Sequence, residues 1–142
     1  MDEFVEWLRA QLDEDERIAF SAGHTLGGQL ALDWEVAGAG VGVWTVERPV
    51  NEPPVVPETL MEDMPGYEAA RARALHIASH GPARVLREID AKRRILVEHA
   101  LNGWVCTTCD TGEVEQVFPC PTLRILALPY ADRSGYRDEW RP

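Results

Sequence analysis

The chain has 142 residues, 45% of them apolar and 27% charged, which is the make-up of one globular domain and excludes a mainly disordered chain. Twenty-four acids against fourteen Lys and Arg leave a net charge of −10, which works against a general grip on nucleic acid. No run of 18 apolar residues is present, and the opening Met1-Asp2-Glu3 lacks the basic and apolar regions of a signal peptide. A protein with no membrane span, held in the cytoplasm, is the expectation.

The first element is a helix. Asp2 can cap it, Glu3 and Glu6 suit its positive end, and Phe4, Val5, Leu8 and Leu12 recur at helical spacing. Ile18 and Ala19 continue it, or begin a second short helix, and Gly23 ends the run. Leu30, Leu32, Trp34 and Val36 then alternate with polar or small residues, as do Val41, Val43, Trp44 and Val46, so this stretch reads as a β-hairpin. Pro49, Pro53, Pro54 and Pro57 predict an extended linker over 48–58, making 23–65 a variable hairpin and linker insert.

Helix resumes near Pro65, with Tyr67, Ala70, Ala74, Ile77 and Ala78 on one apolar stripe that ends at Gly81. Pro82 suits a first helical position, and Val85, Leu86, Ile89, Ile95 and Leu96 carry a long central helix to about Ala100, where Asn102-Gly103 stops it. Pro121 starts another helix, with Leu123, Leu126 and Ala127 inward and Pro129 at its end. The fold class is α+β with helices dominant, read as a single domain over 1–142.

Charge is unevenly spread. Residues 1–17 carry seven acids and two arginines, a net of −5. Residues 71–94 carry Arg71, Arg73, Arg84, Arg87, Lys92, Arg93 and Arg94 against Glu88 and Asp90, a net of +5. This basic stretch is either a solvated helix face beside acidic neighbours or a surface for phosphate or an acidic partner.

Three cysteines are an odd number and do not make a disulfide framework. Cys106-Thr107-Thr108-Cys109 has the CxxC spacing that lets two thiolates of one tight turn bind a single ion. Cys120 precedes Pro121 at a predicted helix start, where amides and the macrodipole favour a thiolate. Asp110-Thr111-Gly112, flanked by Val114 and Val117, reads as a small hairpin between them. A structural zinc wants a fourth ligand, and His99 lies within the helical arc of Ile89, Ile95 and Leu96, so it points inward. His99, Cys106, Cys109 and Cys120 therefore form a candidate structural Zn2+ site within a knuckle-like module over 82–130. A standard treble clef would take two ligands from the last helix, and Thr122 and Arg124 cannot supply one. The competing reading is buried free cysteines beside a core histidine.

His76 and His80 stand at i and i+4, a spacing that can bind metal from one helix face, but no Glu follows His76 as a zinc protease would require. The alternative is that His80 closes the helix and His76 is solvated. His24 lies beside glycines with no partner indicated. Pro119-Cys120 lacks the second Cys of a zinc deaminase, and no phosphate loop or nucleophile elbow is present. Tryptophans 7, 34, 44, 104 and 140 read as core and edge anchors rather than as a base-stacking platform.

From His76 to Leu96, from Cys120 to Asp132 and from Gly135 to Trp140, the chain resembles a family of small actinobacterial and actinophage proteins, the domain of unknown function 6221. The resemblance extends from the opening helix to Pro142 and is weakest from about 23 to 65. Members tend to carry Asp where this chain has Gly81, and to vary, often with extra cysteines, between the helix-end His and the Cys-Pro pair. The resemblance implies a recurrent domain, a metal site in that region and a setting in phages or their hosts, without an activity.

The function expected from these features is that of a small zinc-binding, non-enzymatic interaction or regulatory protein acting on a protein partner. The alternative is nucleic-acid association through the basic helix 84–94. Catalysis would require His76, His80 and a further acid in a cleft. A homodimer is compatible with each reading.

Overall fold

The computed structural model describes residues 2–24, 32–36, 43–45, 66–110 and 118–142. Residues 1–15 and 88–142 form one compact unit, and residues 16–87 a second. Helices α1 (Glu3–Ala22), α2 (Tyr67–Ser79), α3 (Pro82–Glu98) and α4 (Pro121–Ala127) dominate the described chain. Two short antiparallel hairpins complete it, β1–β2 (Trp34–Val36, Val43–Thr45) and β3–β4 (Leu101–Asn102, Val105–Cys106). The helix-dominated α+β class is the observed one.

In the first unit, Asp2 Oδ1 accepts from the amides of Phe4 (3.0 Å) and Val5 (3.4 Å), satisfying two of the orphan donors at the start of α1. Phe4, Leu8 and Leu12 form the buried stripe, and Val5 is half-buried. They share the core with Ile89 and Leu96 of α3, Leu123 and Ala127 of α4, Tyr130 and Trp140. Trp140 lies in a short 3₁₀ turn (Asp138–Trp140) and meets Phe4 edge-on at 5.3 Å and Trp7 at 5.2 Å. Trp7 Nε1 donates to the Ser134 carbonyl at 3.0 Å. The chain passes so close there that a Cβ on Gly135 would lie 3.0 Å from the Trp7 indole, and Gly135 itself sits at φ +84°. Only glycine meets both demands without strain.

A polar cluster in the same unit surrounds the buried Tyr130, whose hydroxyl donates to Asp15 Oδ2 (2.9 Å) and accepts from Lys92 Nζ (2.9 Å). Arg133 pairs with Asp15 at 2.5 Å and lies over the Tyr130 ring at 4.7 Å. Burial, with the Asp15 carboxylate beside it, pushes the Tyr130 hydroxyl above its ordinary range, Arg133 pulling the other way.

In the second unit, α1 runs unbroken past Asp13–Glu16 and ends where the Gly23 amide meets the Ala19 carbonyl (3.1 Å). Of the two sequence readings there, a single helix is the one present. Ala19 is buried as expected, whereas Ile18 is 48% exposed. The hairpin pairs Trp34 with Thr45 and Val36 with Val43. On α2, Tyr67 and Ala74 are buried, but Ile77, expected on the same stripe, is 48% exposed. Ala70 and Ala78, also expected on that stripe, are half-buried. The Ala83 amide donates to the Leu32 carbonyl (3.0 Å), and a Cβ on Gly81 would meet Trp34 Cβ at 3.3 Å, so the α2–α3 junction lies directly on the hairpin. The proline-rich stretch 48–58 and most of 23–65 lie outside the described residues.

Candidate metal centre

The site is assembled at the end of α3, which stops at Glu98, two residues short of the predicted end. The His99 amide still bonds to Ile95 O (3.0 Å), so its ring keeps the inward direction that the helical arc predicts. Asn102 and Gly103, expected only to stop the helix, instead turn the chain into β3–β4. Asn102 pairs with Val105, and Gly103 takes φ +66° in the turn between them. This hairpin delivers Cys106 at the end of β4, after which Asp110 N→Cys106 O (3.1 Å) closes the CxxC turn. Cys120 then caps α4, with Pro121 in the first turn as predicted. The other hairpin, expected around Asp110-Thr111-Gly112, falls on 111–117, outside the described residues.

These elements bring the four expected residues together. His99 Nδ1 lies 3.4 Å from Cys106 Sγ, 3.4 Å from Cys109 Sγ and 3.6 Å from Cys120 Sγ, and all four atoms are within 4.8 Å of one another. A tetrahedral zinc with ordinary Zn–S and Zn–N bonds would hold its nitrogen and sulfurs about 3.6 Å apart and its sulfurs about 3.8 Å apart. The three nitrogen–sulfur separations match that arrangement, and the 4.8 Å bound on the whole group leaves the four atoms close enough to share one ion. Hydrogen bonding does not account for them, because one imidazole nitrogen has a single proton or a single lone pair and here faces three sulfurs.

The local electrostatics are divided. Burial works against a Cys106 thiolate, but the amides of Cys109 and Thr108, with His99 and Cys120, outweigh it and bring that thiol down to about 7. For Cys120, burial dominates and pushes the thiol up to about 11, the Leu123 amide pulling down and the Cys106 and Cys109 sulfurs pushing up. The amide at the α4 start does favour the Cys120 thiolate, as expected, but without a metal burial among the other sulfurs outweighs it. A dication among the sulfurs reverses that balance, because its charge is the largest local field.

Three supporting side chains were not visible in the motif. Thr107 Oγ1 donates to the Glu98 carbonyl at 3.0 Å, and Thr108 Oγ1 donates to the same oxygen. The two variable positions of the CxxC thus tie the turn to the end of the helix that carries His99. Arg124 Nε donates to Pro119 O (2.8 Å) while Nη1 reaches Glu139 O (3.3 Å) and Arg141 O (3.4 Å), holding the Cys120 approach against the C-terminal tail. A threonine able to close the preceding helix was the only available signal.

Elsewhere, His80 closes α2 as its C-cap and His76, within the helix, is exposed as is His80, while His24 Nδ1 lies 2.7 Å from Phe20 O. Among the described residues, the His99–Cys106–Cys109–Cys120 group is the one cluster of three or more metal-ligating side chains close enough to share an ion. The basic stretch is partly engaged within the chain: Lys92 with Tyr130, Arg93 with Asp13 (2.7 Å) and Arg94 with Asp90 (2.9 Å). Trp140 is a core anchor and Trp7, half-buried, packs against it, but Trp104, at the tip of β3–β4, is 88% exposed, against the expectation of packing.

No helix among the described residues is long and apolar enough to cross a membrane. No curated protein and no solved structure matches the chain. A family described as a family of unknown function, DUF6221, matches residues 1–142, and the chain belongs to it.

Proposed function

We propose that this DUF6221 member is a zinc-stapled, non-catalytic interaction protein acting on a protein partner. The observation that carries the reading is the Cys3His group, whose four ligand atoms lie within 4.8 Å of one another and offer one donor each to a four-coordinate ion. A zinc held so has no position for substrate or water, so its contribution is to folding. Zinc also suits the donor set, three thiolates and one imidazole, better than any oxygen-preferring cation. Three unpaired cysteines favour a reducing compartment such as the cytoplasm.

The staple would fix the hairpin whose tip presents Trp104, a side chain of the type that dominates protein interfaces. Between Arg94 and Arg124 the sequence holds Glu98, Asp110, Glu113 and Glu115 and no Lys or Arg, so the partner expected there offers cationic side chains. A regulatory role in actinobacteria or their phages is the setting proposed. The nucleic-acid reading has weaker support, because Lys92, Arg93 and Arg94 already have partners in the chain.

Elemental mass spectrometry on untagged protein, with Cys120→Ser beside it, tests the reading. One zinc per chain, lost in the variant, is expected. Metal-free wild-type protein would refute the staple, and salt-sensitive binding of DNA or RNA would transfer the function to the basic helix.

A further inference from the structure

A second feature belongs to the other compact unit. On α2, the His76 and His80 rings lie with centroids 4.4 Å apart and planes inclined by 41°, both exposed to solvent. We propose that His76 and His80 form a two-imidazole half-site for a borderline transition-metal dication, with Ni2+ and Cu2+ the best matched.

The spacing places both rings on one helix face. With metal–nitrogen bonds of about 2.0–2.1 Å, each ring centre lies about 3.2 Å from a bound ion. Two rings in adjacent positions of an octahedral or tetragonal ion are then about 4.5 Å apart, and at a tetrahedral angle about 5.2 Å. The observed 4.4 Å fits the first geometry.

The ring of His80 is also prepared for this role. Its Nδ1 lies 2.8 Å from the His76 carbonyl oxygen. A carbonyl only accepts, so in this contact Nδ1 is the donor and Nε2 is the nitrogen left for a metal, with Ser79 Oγ a second neighbour of Nδ1 at 3.0 Å. A backbone carbonyl holding the far ring nitrogen is the usual second support of a metal-binding histidine. Ser79 Oγ donates to the same carbonyl at 2.8 Å and so steadies that oxygen.

Charge does not create this site. Arg84 Nη1 donates to Ser79 O at 3.0 Å, which puts a fixed cation beside the pair. Attraction must therefore come from nitrogen–metal bonding, which selects metals that prefer imidazole and rejects Mg2+ and Ca2+.

The test is calorimetric titration of Ni2+ into the untagged full chain, previously equilibrated with Zn2+ and then freed of excess, with zinc content followed in parallel. The expected result is one Ni2+ per chain without zinc release, at least tenfold weaker binding in His76→Ala and in His80→Ala, no change in His24→Ala, and no competition from millimolar Mg2+. Unchanged affinity in the two α2 variants would overturn the proposal, as would Ni2+ uptake matched by zinc loss. Circular dichroism of each variant separates ligand loss from misfolding, since both side chains are exposed and their removal should leave the melting temperature unchanged.

Discussion

Free zinc should set the melting temperature of the unit that contains the Cys3His group. A ligand that binds only the folded state adds about 1.4 kcal/mol for each tenfold rise in its free concentration above its dissociation constant. The unit comprises residues 1–15 and 88–142, about 70 residues, with a melting entropy of roughly 2.1 cal/mol/K per residue. That is about 0.15 kcal/mol/K, so the midpoint should climb by about 9 °C per decade of free zinc if the unit melts by itself. If all 142 residues melt together, the slope halves to about 5 °C per decade. The assay is near-ultraviolet circular dichroism in zinc buffers spanning picomolar to micromolar free metal, under reducing conditions. Cys109→Ser should lower the midpoint and move the onset of the rise to higher free zinc, because a lost vertex raises the dissociation constant. A midpoint independent of free zinc, or an onset and midpoint unchanged in the variant, would refute the staple and return the cysteines to the role of ordinary core residues.

Gly135→Ala should destabilise by about 1–3 kcal/mol in urea unfolding, because the new methyl meets the Trp7 indole at 3.0 Å on a backbone at φ +84°. An effect below about 0.5 kcal/mol would mean the Trp7 contact is not rigid. Tyr130 is pushed up, so the folded state keeps its proton while the unfolded chain releases it above pH ~10, and stability should fall as pH rises through that point. Tyr130→Phe should be less stable at neutral pH, having lost its bond to Asp15, and should show a shallower alkaline decline; equal slopes in the two proteins would contradict this. Trp104→Ala should leave stability within about 0.5 kcal/mol, because the indole is 88% exposed, while abolishing cross-linking to the proposed partner. Intact cross-linking in that variant would remove the hairpin tip from the interface.

What the sequence made legible follows from the range of each signal. Phe4, Leu8 and Leu12 obey a 3.6-residue period, and Asp2 has the chemistry of a cap, so α1 could be read locally. His99 is legible from the same periodicity, because the sequence carries the helical arc of Ile89, Ile95 and Leu96 to about Ala100. The spacing of Cys106 and Cys109 is a local property of a turn. Ile77 misled because Ala74 and Tyr67 already occupy the buried face, and a helix with alanine at most inward positions gives little contrast between its sides. Trp104 misled for a related reason: large apolar residues are usually covered, and only the position of Gly103 in the preceding turn, set by pairing between 101–102 and 105–106, carries this one outward. That pairing is too short for alternation to register.

Thr107 and Thr108 show why the metal reading and the fold cannot be treated separately. Their hydroxyls both end on the Glu98 carbonyl, one of the four that a helix terminus leaves without an amide. The CxxC turn therefore completes α3, and α3 in return orients His99 towards the turn. Neither half has its geometry without the other, and Arg124 adds a third tie through Pro119 at the approach to Cys120. Three ligands in this arrangement sit on short elements: a hairpin of two-residue strands, a four-residue turn and a seven-residue helix. Elements of that length do not persist alone in water. An ion bound there would join them to the long helix at one point, adding to a core whose buried large side chains in 88–142 are Ile89, Leu96, Leu123, Tyr130 and Trp140.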